Sequence, residues 1–107
     1  MSIEFAVSEV MAGDYPATLI EMTIPGDGVM EFADLQAVID SLPHVDPSKG
    51  VVLSGRLPIP AYMAIGHHFH PTAWVAAFAP AAGGAVVAFS HKKGVGVGMV
   101  LPLPKAE

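Results

Sequence analysis

Four of the chain's five histidines, His67, His68, His70 and His91, fall in the segment GHHFHPTAWVAAFAPAAGGAVVAFSH, which holds no residue of fixed charge. Three roles compete for them: a metal or catalytic site, an anion-binding surface, or packing. A separation of three puts His67 and His70 on one helical face or at its frayed end, while His68 points roughly 100° away from His67. Two imidazoles so placed can share a metal, or act as general acid and base on a phosphodiester, since histidine titrates near neutrality. No glutamate lies between them, so this is not the zincin pattern, and residues 47–106 offer no Asp or Glu to complete a metal shell.

A second constellation is Ser54-Gly55-Arg56. Glycine lets a ligand approach the backbone, the first turn of a following helix has unsatisfied N–H groups, and a guanidinium grips two phosphate oxygens. The turn is a candidate phosphate cradle, although a strand-to-helix turn takes a small residue for geometric reasons alone. His91 is expected at the same end of the sheet as Ser54 and Arg56, with Lys92 and Lys93 as solvated loop charges or outer phosphate contacts.

The elements that must position these groups follow from periodicity. IEFAVSEV and PATLIEMTIP alternate as two strands joined by a turn at Gly13-Asp14-Tyr15-Pro16. MEFADLQAVIDSL spaces Phe32, Leu35, Val38, Ile39 and Leu42 as one helical face and is stopped by Pro43. Gly50-Val51-Val52-Leu53 is a short, wholly apolar run of the kind found in buried central strands. PIPAYMAIGHHF reads as a helix with prolines in its first turn. TAWVAAF and GGAVVAFS follow as strands, and VGVGMVLPL as a last, glycine-weakened one. Strand, helix, strand over 50–78 is a crossover unit, which makes strands 50–53 and 73–78 parallel. The expected fold is a small α/β, Rossmann-like single domain spanning 1–107, a mixed sheet with two main helices. Trp74, with aliphatic strand neighbours, belongs to the core or to a dimer interface rather than to a base-stacking platform.

Composition is consistent with a packed domain: 107 residues, 52% hydrophobic and 14% charged, suffice for a core without disulfides. The absence of cysteine excludes thiolate metal sites and a thiol nucleophile, and it suits a reducing interior, so the cytoplasm is the expected compartment. Glu4 within the first apolar stretch and the lack of a basic leader argue against a secretory signal. Residues 57–91 lack fixed charge, yet Pro58, Pro60, Pro71, Pro80 and Gly83-Gly84 cut them into strand- and helix-length pieces, which argues against a membrane span. The net charge of −5 hides an asymmetry: residues 1–46 carry nine acids and no Lys or Arg, whereas 49–106 carry five Lys and Arg and no acid. Such an imbalance can attract an anion to one face, or can merely record which segments meet solvent.

Taken together, SGRLPI, a helix ending in GHHFHPTAWVAAF, then Pro80 with Gly83-Gly84 and Ser90-His91 resemble the CRISPR-associated Csx-three family, over about Lys49 to His91. The resemblance implies a Rossmann-like, CARF-related subunit of a type III ring nuclease. It implies a homodimer that linearises cyclic tetra-adenylate with manganese, the ligand held between two copies. Neither a membrane nor duplex DNA is expected as partner. Ser54, Gly55 and Arg56 match the family's ligand-contacting turn, and His67, His70 and His91 its site histidines. His70 is the leading catalytic candidate, with His67 and His70 as the candidate metal pair and His91 positioning phosphate.

The family usually has Asp-Pro-Arg where this chain has Ala79-Pro80-Ala81. The first lost side chain is a natural metal ligand or base, the second a natural clamp for charge developing on phosphate. The expected consequence is a chain that binds and cleaves poorly. Deliberate substitution to trap a ligand would give this pattern, as would natural decay into a binding protein. The competing reading is a non-catalytic sensor or sponge for cyclic oligoadenylate, or for short RNA.

Overall fold

The computed structural model describes residues 3–26 and 29–104. Six strands form one sheet whose spatial order equals their chain order: β1 (Glu4–Ala12), β2 (Tyr15–Thr23), β3 (Gly50–Ser54), β4 (Trp74–Ala79), β5 (Gly84–Ser90) and β6 (Val100–Leu101). β2, β3 and β4 are mutually parallel and the other pairs antiparallel, so the expected crossover unit and mixed sheet are present. Helix α1 (Leu35–Asp40) joins β2 to β3, and α2 (Ile59–His68) joins β3 to β4. Because both crossovers step across the sheet in one direction with the same hand, they set both helices on one face. Val38 and Leu42 from the α1 region and Ala61, Ile65 and Phe69 from the α2 region pack there over Ile20, Met22, Val51, Leu53 and Val75.

The other face carries no helix. Its core is Ala17, Val52, Trp74, Ala76, Ala85 and Val87, closed over by Val95 and Leu101 of the C-terminal segment. Trp74 is 1% exposed and lies flat against Gly50, where a Cβ would fall 2.0 Å from the indole. The indole is therefore core, and glycine at position 50 is what makes room for it. β3, in the middle of the parallel set, is buried along Gly50–Leu53, which explains why its sequence does not alternate.

Two expected elements are shorter than their sequence pattern. The first helix begins as a 3₁₀ turn over Phe32–Asp34 and is α-helical only over Leu35–Asp40. Phe32 is 60% exposed rather than part of the buried face, because the eclipsed 3₁₀ geometry turns it away from the stripe that continues to Val38. The last strand is reduced to Val100–Leu101: Gly94 (φ 91°), just before the VGVGMV run, and Gly98 (φ 90°), within it, adopt left-handed turns. Among the described residues no helix is long and apolar enough to cross a membrane.

Candidate functional site

The parallel strands end together, and their carboxyl ends form a rim. Glu21 pairs with Ser54, and Phe78 stands one step beyond the Leu53–Ala77 pair, so Glu21, Ser54 and Phe78 form one row across β2, β3 and β4. Alternation sends all three to the helix-free face, since Leu19, Val52 and Ala76, two residues earlier on each strand, lie in or against that core. Beyond this row the chain turns through Gly55 at φ 141°, where a Cβ would meet the Met22 carbonyl oxygen at 2.2 Å. No other residue fits there without moving β2.

Past the turn, Pro58 caps α2 in extended conformation and Pro60 occupies its first turn, where a missing N–H costs nothing. The turn and the end of β2 enclose a cavity of about 550 Å³ lined by Glu21, Thr23, Ser54, Gly55 and Arg56. Glu21 and Ser54 also line an adjoining groove that reaches Phe78 and Gly83. Ser54, Gly55 and Arg56 thus share one end of the sheet with the Ala79-Pro80-Ala81 turn. That turn is a 3₁₀ turn over Pro80–Ala82 closed by Gly83 at φ 77°.

The histidines lie elsewhere. α2 runs antiparallel to the strands it connects, so its last turn returns to the amino ends of β3 and β4. β5 runs antiparallel to β4 and ends beside the same place: the His91 N–H donates to the Ala73 carbonyl at 2.8 Å. The His70 ring meets His91 edge to face at 4.7 Å between centroids, and lies 5.5 Å from Phe89 and 6.4 Å from His67. His70 thus stands beside both His91 and His67, away from the Ser54-Gly55-Arg56 turn expected to share one cup with the imidazoles. The expectation that His91 approaches Ser54 and Arg56 is not met, because β5 is antiparallel. At roughly 3.3 Å per residue, β4 sets the imidazoles about 17 Å from the rim. His68 stands apart, its ring against Phe69 at 5.0 Å.

The positive charge of the second half is divided in the same way. Lys49 lies at the amino end of β3 and is held by Glu9 at 2.8 Å, which draws the Glu9 carboxyl below its usual value and raises the Lys49 ammonium above its own. Lys92 and Lys93 follow His91 and are exposed. Arg56, also exposed, is the rim's own cation.

His67 and His70 line an apolar groove of about 510 Å³ between α2 and the uncovered part of β4 and β5, together with Tyr62, Met63 and Phe89. Tyr62 connects this groove to the rim, its hydroxyl donating to the Gly55 carbonyl at 2.5 Å. Burial raises its pKa above the ordinary 10.0, so it remains a donor at neutral pH. Sequence reasoning passed over Glu21 and Tyr62. The alternation of β2 carries Glu21 to the rim; nothing in the sequence pattern announces the Tyr62 contact, which depends on how α2 leans on the turn.

Manganese favours carboxylate and carbonyl oxygens. Among the described residues no group of three His, Cys, Asp or Glu converges to hold a metal, and position 79 offers only a methyl group. The described donors of one subunit do not fit a resident manganese ion.

Fold and site together define a small α/β domain with a cavity-bearing rim at the carboxyl ends of three parallel strands and an imidazole cluster at their amino ends. Residues 23–102 match the family model of the CRISPR-associated protein Cas_csx3. A protein of Aquifex aeolicus (strain VF5), described as uncharacterized, is 40% identical over 86 residues, which cover 78% of this chain and 76% of that one. The chain belongs to the Cas_csx3 family of CRISPR-associated proteins.

Proposed function

We propose that this chain is a ring-nuclease-type subunit that recognises cyclic tetra-adenylate at the Ser54-Gly55-Arg56 rim and cleaves it poorly. One observation carries the reading: the glycine-bearing turn and its arginine line a cavity at the same end of the sheet as the Ala79-Pro80-Ala81 turn, whose flanking Phe78 and Gly83 line the adjoining groove, with Glu21 as the acid that Arg56 must outweigh there. Arg56 and nearby N–H groups supply the two donor types that hold a phosphodiester oxygen. The imidazoles, at the other end, cannot reach the same phosphate within one subunit. A complete centre takes the rim of one copy and His67, His70 and His91 of another, with the cyclic ligand sandwiched between them and a homodimer as the repeating unit. His70 then assists proton transfer, and His67 and His91 orient it or the phosphate.

A binding-only reading is favoured by a separate observation. The two positions that would bring a carboxylate and a guanidinium to the rim are Ala79 and Ala81, so a sponge for cyclic oligoadenylate fits the same geometry without turnover. Incubation with cyclic tetra-adenylate, with and without manganese, separates the readings when repeated on the Ala79→Asp, Ala81→Arg protein. Cleavage that rises on reversal supports the impaired nuclease. Tight binding with no rise supports the sponge, and no binding by either protein contradicts both.

A further inference from the structure

We infer that Tyr62 is a positioning residue for the ligand: its hydroxyl fixes the Gly55–Arg56 peptide so that the Arg56 N–H faces the rim cavity. The inference rests on the proposed recognition of a phosphodiester there, and names a residue that neither family membership nor sequence pattern singles out.

The geometry has three parts. First, the Gly55 carbonyl accepts the Tyr62 hydroxyl at 2.5 Å, which draws that oxygen toward α2. The peptide is trans, so its C=O and N–H point in opposite directions, and the Arg56 N–H is directed away from Tyr62. Second, Gly55 lies so close to the Met22 carbonyl that no Cβ fits between them, which leaves the turn little room to shift toward β2. Third, the Arg56 N–H has no backbone acceptor among the described residues, and the cavity lined by Gly55 and Arg56 does not include Tyr62. The donor is therefore left for a ligand oxygen, beside a cavity that Arg56 lines. Tyr62 lines the histidine groove as well, so one side chain ties the orientation of the cradle to the helix that carries His67 and leads into His70.

Tyr62→Phe removes the hydroxyl and keeps the ring. The Gly55 carbonyl is solvent-exposed and exchanges one partner for water, so this variant folds, whereas Gly55→Ala tests the same peptide at the risk of the fold. Calorimetry with cyclic tetra-adenylate is expected to give a Kd roughly three- to tenfold weaker for Tyr62→Phe than for the native chain, the range one hydrogen bond supplies. In ¹⁵N-resolved NMR the ligand-induced shift of the Arg56 amide is expected to shrink while the amide positions of α2 stay as in the native chain, which a general loss of packing would not produce. An unchanged Kd with an unchanged Arg56 amide response overturns the inference. If the native chain itself binds no cyclic tetra-adenylate, the recognition reading fails on its own. Inorganic phosphate then serves as the probe, and an Arg56 amide that responds alike in both proteins, or in neither, overturns the role of Tyr62.

Discussion

The imidazoles of His70 and His91 meet edge to face at 4.7 Å, although 21 positions of chain separate them. Their meeting follows from the antiparallel pairing of β4 with β5, which returns the chain to the amino end of β4. The same pairing places them at the opposite end from Arg56. If catalysis uses both ends, it uses two copies.

A complementation experiment tests this division. A protein with Ala79→Asp and Ala81→Arg, further altered by His70→Ala, has an intact rim and no acid–base imidazole; the native chain has the imidazole and a deficient rim. Each alone is expected to cleave cyclic tetra-adenylate at a rate reduced by roughly 10²–10⁴, the usual worth of a general acid or base. Their mixture should recover activity well above the sum. Additive rates in the mixture would place both groups of residues in one subunit.

Gly55→Ala is expected to destabilise the chain by about 1–3 kcal/mol, since alanine is strained at φ 141° and its Cβ strikes the Met22 carbonyl. Ligand affinity should fall with it, because the turn must shift to relieve the contact. Chemical denaturation and calorimetry on the same preparation measure both, and native stability in this variant would show that the turn is looser than described.

Gly50→Ala is expected to cost at least about 1–3 kcal/mol by overpacking against Trp74, from which the new methyl would stand 2.0 Å. Trp74 provides the readout, being the chain's one tryptophan. Its emission should move to longer wavelength as the ring is displaced toward solvent. Unchanged emission with unchanged stability would contradict the packing of the helix-free face.

This contact also marks where the sequence stopped being legible. The parallel centre of the sheet could be read because β3 lacks alternation and a helical pattern lies on either side of it. The buried position of Trp74 could be read from its aliphatic neighbours. That Gly50 exists to accommodate the indole could not, because the two meet only when β3 pairs with β4. The rim was legible as Ser54-Gly55-Arg56, a local turn. The proximity of His67 and His70 was legible from their spacing at the end of a helical pattern, although α2 stops at His68 and a tighter turn carries His70. The placement of His91 was not, since it depends on the direction of β5 relative to β4, and a glycine-rich turn after Pro80 allows either reading until the pairing is known. Phe32 shows a further limit: helical spacing includes it, but a 3₁₀ start removes it from the face.

Acid should weaken the fold through two carboxyls. Glu9 lies below its usual 4.5, chiefly because Lys49 donates a hydrogen bond to it, and Asp46 lies below its usual 3.8, chiefly because the Ser48 hydroxyl donates to it. A carboxyl depressed in the folded state contributes stability above its unfolded pKa and loses that contribution as pH falls through the folded value. The stability curve should therefore decline below about pH 4.5, and Glu9→Gln with Asp46→Asn should make that decline shallower. Both groups are at the surface, so the change is small and diminishes in high salt. An acid limb of the same steepness in the double variant would show that other carboxyls govern it.

Calorimetric titration of the native chain with cyclic tetra-adenylate, beside Arg56→Ala, tests the central claim most directly. Saturable binding that weakens with added salt and is largely lost in Arg56→Ala is the predicted result. No measurable binding by the native chain, or equal affinity after Arg56 is removed, would contradict the assignment of the rim as the ligand site.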